Sequence, residues 1–229
     1  MVETSLLSGI ALLGDLSETE LTALEQACRY RRFAAHEHVI ERDSQNHDVF
    51  FVVRGRVRIV NYSVQGREIT FGEVGEGGYF GELSALDGKP RSAGVMAIED
   101  SLIVAVPGAL FMQVLEKHPE MSVSVMKHLA DLVRTGVDRI MDLSTLAAHN
   151  RVHAELLRQA STQMTNSNAA HIEPIPVHSN LASRVSTTRE TVARVLNDLA
   201  RQGIVERTRN ALLIHNVARL RDIVQEVRG

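Results

Sequence analysis

Residues 77–95 read GGYFGELSALDGKPRSAGV, and this stretch, with the apolar segments on either side of it, decides the fold. A glycine-flanked carboxylate, Glu82, is followed nine residues later by the pair Arg91-Ser92. Upstream, Val49-Phe50-Phe51-Val52-Val53 runs into Arg54-Gly55-Arg56. Val57 and Ile59 then alternate with polar residues, and a glycine-containing turn leads to Ile69 and Phe71. These are the marks of successive antiparallel hairpins. Further strands are predicted over 93–97 and 102–106, and helices over 18–28 and 109–118. Short, evenly spaced strands joined by glycine turns favour a small β barrel, roll or sandwich with flanking helices.

The chemistry of 77–95 points to a sugar phosphate. A phosphodiester monoanion needs a guanidinium for charge and geometry, and short donors such as backbone N–H groups and a hydroxyl. Arg91, Ser92 and the region of Leu83 and Ser84 can supply these, and Glu82 can accept from a ribose hydroxyl. Gly81, without a Cβ, lets backbone come close to a ligand. Taken singly, each residue also fits a plainer role: Glu82 and Arg91 as a surface ion pair, the glycines as turn residues.

The 229 residues are enough for two domains, with 44% apolar and 23% charged residues. From Ala147 onward there are eleven arginines, no lysine and seven acids, a local charge of +4, whereas the rest carries −7 within the overall −3. A basic module on an acidic one points to a polyanion partner for the former. Cys28 is the only cysteine, which excludes an internal disulfide and an iron–sulfur cluster held by several thiolates of one chain. The acidic N-terminus lacks a signal peptide's basic start, and no apolar run approaches the roughly 18 residues needed to span a bilayer, so a cytoplasmic, membrane-free protein is expected.

Over 119–143 the pattern becomes one long helix. Met126, Leu129, Val133, Gly136, Ile140 and Leu143 recur at alternating spacings of three and four, an a/d seam interrupted only by the glycine. This predicts a coiled-coil helix of a homodimer. A helix packed on its own sheet is the plainer alternative. The predicted division is therefore 1–145, a sensor domain including the dimerisation helix at about 119–145, and 146–229.

In the second part, a helix is predicted over 151–160, a surface loop over 161–170, a short helix over 179–184, a turn over 185–187 and a helix over 188–202. Thr187 and Glu190 have capping-box spacing, and Gly203 suits the stop. Val192, Val195, Leu196 and Leu199 share one face. Glu190, Arg194, Asn197 and Arg201 lie opposite, with Thr188 and Arg189 at the start. A recognition helix needs this layout, because its first turns enter the major groove, where Arg pairs bidentately with guanine and Glu accepts from cytosine. Any amphipathic surface helix has the same periodicity. The segments 203–207 and 212–214 predict a two-stranded wing, with Arg207 and Arg209 as phosphate contacts and Ser179 beside them.

His36-Glu37-His38 lacks the spacing of a helical metal motif, and no Walker loop, nucleophile elbow or dinucleotide fingerprint occurs. Neither catalytic nor metal residues are expected.

Phe80-Gly81-Glu82-Leu83-Ser84-Ala85-Leu86 and Pro90-Arg91-Ser92-Ala93 together resemble the phosphate-binding cassette of cyclic-nucleotide-binding domains. Arg189-Glu190-Thr191-Val192-Ala193-Arg194 is similar to the R-E-T-V-x-R signature of the Crp-Fnr regulators, and the likeness to that family's cyclic-AMP receptor branch runs from the Gly55 hairpin to the wing. It implies an α+β protein: an N-terminal β roll (double-stranded β-helix), a long dimerisation helix and a C-terminal winged helix-turn-helix. It also implies that Glu82 holds the ribose 2′-hydroxyl, Arg91 and Ser92 the cyclic phosphate, that Ile59 and Phe71 line the pocket, and that Arg189, Glu190 and Arg194 read bases. The implied ligand is cyclic AMP or cyclic GMP acting allosterically, with no other cofactor. The implied partners are a palindromic operator in double-stranded DNA, a second copy of the chain and RNA polymerase. The likeness breaks on the long helix, where the family's adenine-contacting Thr-Ser pair falls on Gly136 and Val137, with Thr135 adjacent. A regulator that needs no ligand, or a nucleotide-binding module without control of genes, are the alternatives.

Overall fold

The computed structural model describes residues 5–165 and 167–228. The chain divides into two units, Met1–Asp131 and Leu132–Gly229.

In the first unit, helix α1 (Glu18–Ala27) precedes strands β1 (Arg29–Phe33), β2 (His38–Ile40), β3 (Val49–Arg54), β4 (Arg56–Tyr62), β5 (Glu68–Gly75) and β6 (Tyr79–Phe80). Helix α2 (Glu82–Asp87), strands β7 (Gly94–Ala97) and β8 (Ser101–Val106), and helix α3 (Gly108–Lys117) follow. Two antiparallel four-stranded sheets form, ordered β1-β8-β3-β6 and β2-β7-β4-β5. The apolar run of β3 does not alternate because both of its faces are covered. Phe50 and Val52 join Phe33, Ile40, Val57, Phe80 and Ile103 in one core. Val49 and Phe51 point the other way, into a second core with Phe111, Leu115, Met121 and Val125 from the helices. Opposite-facing neighbours on a strand allow one segment to knit two cores.

The β4–β5 hairpin carries a bulge. Ile59 lies opposite Gly72 and Val60 opposite Thr70, so Phe71 is the extra residue and its ring is 47% exposed.

Helix α4 (Pro119–Thr145) runs across the division. Met121 and Val125 are buried in the first unit's core, whereas Met126, Val133, Ile140 and Leu143 are exposed, Val133 by 65% and Ile140 by 64%. Leu129 packs partly against the core and Gly136 is half-buried.

The second unit continues with α5 (Ala148–Thr162), β9 (Ala170–Ile172), α6 (His178–Arg184), α7 (Arg189–Arg201), β10 (Val205–Arg207), β11 (Leu212–Ile214) and α8 (Val217–Arg228). The predicted two-stranded wing is corrected to a three-stranded sheet, ordered β10-β11-β9. Ala170 and Ile172 are buried either side of exposed His171, an alternation too short to signal a strand, and Ile172 pairs with Leu212. Helix α5 also begins earlier and ends later than the predicted 151–160. The structure adds two helices that the sequence pattern does not signal, α2 and α8.

One buried carboxylate organises the helices of this unit. Glu155 on α5 is 1% exposed. Its Oε2 accepts from Arg158 at 2.6 Å and lies 3.9 Å from Arg139 of α4, while its Oε1 lies 3.5 Å from Arg184 of α6 and accepts from Gln159 at 3.0 Å. Arg158 also donates to Asp142 of α4 at 2.6 Å. Three helices thereby share one charge network.

Candidate functional site: a buried cassette and a reading helix

Gly81 stands at the N-cap of α2 with φ +85°, a left-handed conformation that disfavours a side chain. The space a Cβ would fill is taken by Arg91, whose Nη1 would lie 2.6 Å from it, and by the Asp48 carbonyl oxygen at 3.2 Å. The close approach that requires glycine here is thus made by Arg91.

Arg91 is 2% exposed. Its Nη1 donates to the Gly81 carbonyl at 2.7 Å, and its Nη2 to the Asp48 carbonyl at 2.6 Å and to Asn46 Oδ1 at 2.9 Å. The guanidinium lies over the Phe50 ring, 5.3 Å from its centroid. Its Nε–H is buried without a partner. A buried, oriented guanidinium with one donor unmet is what a phosphate oxygen can satisfy, since an orphaned buried donor is costly. Burial pushes the Arg91 guanidinium below its ordinary value, opposed by the nearby charges of Asp48 and Glu82.

Glu82 is equally enclosed, and burial raises its carboxyl above the usual range, countered by its backbone hydrogen bond, then by His128 and Arg91. The two residues are therefore not a surface ion pair. Ser84 is buried and its carbonyl lies 3.0 Å from His47 Nδ1, which must then be the donor. Ser92 and Leu83 are exposed, and Ile59 is half-buried at the inner core. Thr135 and Gly136 lie on α4 beyond residue 131, in the second unit.

Sequence reasoning missed Asn46, Asp48 and His128. The first two lie more than forty residues before Arg91, separations of 45 and 43. His128 of α4 rests against Tyr79, with ring centroids 5.0 Å apart. The Tyr79 hydroxyl is buried and unpartnered, and burial beside Glu82 pushes it up to about 12. Its placement one step from the Phe80-Gly81-Glu82 run was the available signal.

The helix-turn-helix differs from expectation at one joint. Thr188, not Thr187, caps α7: its backbone is extended and its Oγ1 accepts from Thr191 N–H at 3.3 Å. The turn is longer by one residue because Ser186 takes φ 52° and Thr187 N–H returns to the Ala182 carbonyl. The third position after the cap is then Thr191, so the expected capping box with Glu190 is absent. At the other end, Ile204 N–H reaches the Leu199 carbonyl and Gly203 N–H that of Ala200, a Schellman stop with Gly203 at φ +69°.

Val192, Val195 and Leu199 are buried, and Thr188, Arg189, Glu190 and Arg194 are exposed. Ser179, Arg189, Glu190 and Arg207 line one cleft together with Ile175 to His178. Arg194 opens instead onto a neighbouring cleft between α5 and α7, and Arg209 stands exposed in the turn between β10 and β11. Glu190's carboxyl is held low by its own backbone N–H and by Thr188, so it is an ionised acceptor at neutral pH. Arg151 pins the turn: it donates to the carbonyls of Leu146 (2.8 Å), Val185 (2.8 Å) and Ser186 (3.0 Å). In the His36–His38 stretch, Glu37 is engaged by Arg31 and by the Ala34 N–H.

The cyclic nucleotide-binding domain model matches residues 30–118, and the Crp-like helix-turn-helix domain model matches residues 150–223. The chain is 30% identical over 175 residues to the cyclic AMP receptor protein of Thermus thermophilus, covering 76% of this chain and 78% of that one. The chain belongs to the Crp-Fnr family. Another relative of this Crp-Fnr protein is the cAMP-activated global transcriptional regulator Vfr of Pseudomonas aeruginosa, 28% identical over 78% of this chain and 85% of Vfr. Among solved structures, a CooA double mutant from Carboxydothermus hydrogenoformans shares the fold, with a TM-score of 0.79 at 22% identity over 98% and 97% of the two chains. This Crp-Fnr chain is thus a transcription regulator, not an enzyme, built as a cyclic-nucleotide-binding sheet domain ahead of a DNA-binding helix-turn-helix. Among the described residues, no helix is long and apolar enough to cross a membrane.

Proposed function

We propose that the chain is a homodimeric regulator, gated by cyclic AMP or cyclic GMP, that binds a palindromic operator in the cytoplasm and engages RNA polymerase there. Functionally, 1–145 would be the sensor with its dimerisation helix and 146–229 the DNA-binding part. The observation that carries the nucleotide reading is the buried Arg91 with its unmet Nε–H beside buried Glu82. Glu82 would hold the ribose hydroxyl, Arg91 and Ser92 the phosphate, with Gly81, Leu83 and Ser84 forming the turn around it. On the DNA side, Thr188, Arg189, Glu190 and Arg194 would meet base edges, and Ser179, Arg207 and Arg209 the backbone.

The α4 stripe supports the dimer, since Val133, Ile140 and Leu143 are 65%, 64% and 49% exposed among the described residues. Ile140→Glu should convert the protein to monomers in sedimentation velocity. A variant that stays dimeric would place the interface elsewhere.

The mechanism is linkage: nucleotide favours a dimer whose recognition helices sit about 34 Å apart, one DNA turn, and operator must then tighten nucleotide binding by the same factor. Selectivity should be relaxed. Gly136 and Val137 offer no side-chain hydrogen bond, and strong rejection of a wrong base depends on leaving dedicated polar groups unpaired. Calorimetric titration with each nucleotide, with and without operator, tests both points. Affinities within about tenfold of each other are expected, and a hundredfold preference for either would overturn the selectivity. Operator binding that is full without nucleotide would mark a constitutive regulator.

A further inference from the structure

The cleft that gathers Ser179, Arg189, Glu190 and Arg207 also holds His178 of α6. Its volume is about 530 Å³, room enough for a phosphate group, and the rest of its lining is apolar. Two guanidiniums and one carboxylate share the cleft with the imidazole: Arg189 and Glu190 from α7, and Arg207 from β10. A guanidinium stays charged throughout the neutral range, and the Glu190 carboxyl is held low by its own backbone N–H and by Thr188. An imidazole changes charge between pH 5 and 8, so His178 is the one residue of this lining whose charge follows pH near neutrality. Its surroundings differ from those of other histidines in the unit. His171 and His215 each stand beside a carboxylate, Glu173 at 3.8 Å and Glu206 at 2.9 Å. Among the described residues His178 has no such ion pair, because Glu190, the acid in its cleft, is engaged by Thr188. An imidazolium beside two arginines, with no carboxylate bound to it, finds its counter-charge in an anion from outside the chain.

We propose that His178 is a further DNA contact: as an imidazolium it pairs with one backbone phosphate of bound DNA, and the protein takes up that proton on binding. The inference rests on the DNA-binding reading of this unit and adds to it a contact that pH switches. Phosphate attracts the charged imidazole, so DNA favours protonation and protonation favours DNA by the same factor. Affinity therefore falls as pH rises from about 6 to about 8, while the arginines of the cleft hold their contacts throughout. A phosphate contact carries no base information, so the effect is the same on every sequence. It adjusts how tightly the regulator holds DNA and leaves its choice of operator unchanged.

The test uses the full-length protein with saturating cyclic AMP and a DNA duplex of mixed sequence, its affinity followed against salt at about pH 6 and about pH 8. Each phosphate neutralised steepens the logarithmic salt dependence by about 0.9. His178→Gln should lose about 0.9 of that slope per bound chain at the lower pH, and the loss should shrink toward zero at the higher one. His178→Arg carries a permanent charge and should keep the steeper dependence at both. Calorimetry of the wild type in two buffers of different ionisation enthalpy gives a second measurement that needs no variant, and proton uptake on binding is expected. A His178→Gln slope equal to the wild type's at the lower pH, or reduced by the same amount at both, would overturn the contact while leaving the DNA-binding reading intact. A wild type that binds the duplex at neither pH would sink both.

Discussion

Glu155→Ala should lower the stability of the DNA-binding unit by about 3–5 kcal/mol, read as a shift in its urea unfolding midpoint. The carboxylate is almost wholly enclosed and is the charge shared by Arg158, Arg184 and Arg139. Removing it takes away the one charge that all three share, while Arg158 keeps its 2.6 Å contact to Asp142 to fall back on. Arg139 is the most exposed to this loss. It is half-buried, and burial already pulls its guanidinium below the ordinary value, opposed first by the charge of Glu155. Glu155→Gln keeps the shape and the Gln159 contact and should recover only part of the loss, because the charge is what the arginines need. A destabilisation below about 1 kcal/mol would show that the network is solvated enough to be replaced by water. The effect should reach DNA binding as well, since the same carboxylate joins α4 to α6, the first helix of the helix-turn-helix.

Arg91→Ala should weaken cyclic nucleotide binding by about 2–5 kcal/mol, roughly 30- to several-thousand-fold, in calorimetry. Part of that loss is local: the carbonyls of Gly81 and Asp48 lose their donor. Arg91→Lys separates the contributions. An ammonium keeps the charge but cannot span Gly81, Asp48 and Asn46 in a fixed fork, so it should restore folding better than it restores affinity. A Lys variant with wild-type affinity would mean that charge alone suffices, and an Ala variant within threefold of wild type would remove Arg91 from the site.

What the sequence disclosed and what it hid follow from the range of the interactions. The cassette was legible because Gly81, Glu82, Arg91 and Ser92 lie within a dozen residues, and β3 because a short unbroken apolar run before a glycine turn suits a strand covered on both faces. The face of α7 was legible from its period. The long-range partners were not: Asn46 and Asp48 look like ordinary loop residues until the fold sets them on Arg91. Glu155 carries no local sign of burial, and the packing of α4 and α6 on α5 encloses it beside half-buried Arg158 and Arg184. Thr187 and Thr188 are equivalent as caps by composition. The positive φ of Ser186 selects the second. Phe71 reads as one more inward strand residue, and a bulge turns it out.

The three carbonyls held by Arg151 bear on how such proteins can be cut and rejoined. Leu146 lies just before α5, and Val185 and Ser186 lie in the turn that aims α7. A chimera that grafts the reading head onto a foreign sensor by joining at the start of α6 would leave Arg151 on the wrong side of the seam, with the turn free to wander. A junction upstream of Arg139 carries the fastening along together with the α4 partners of the Glu155 network.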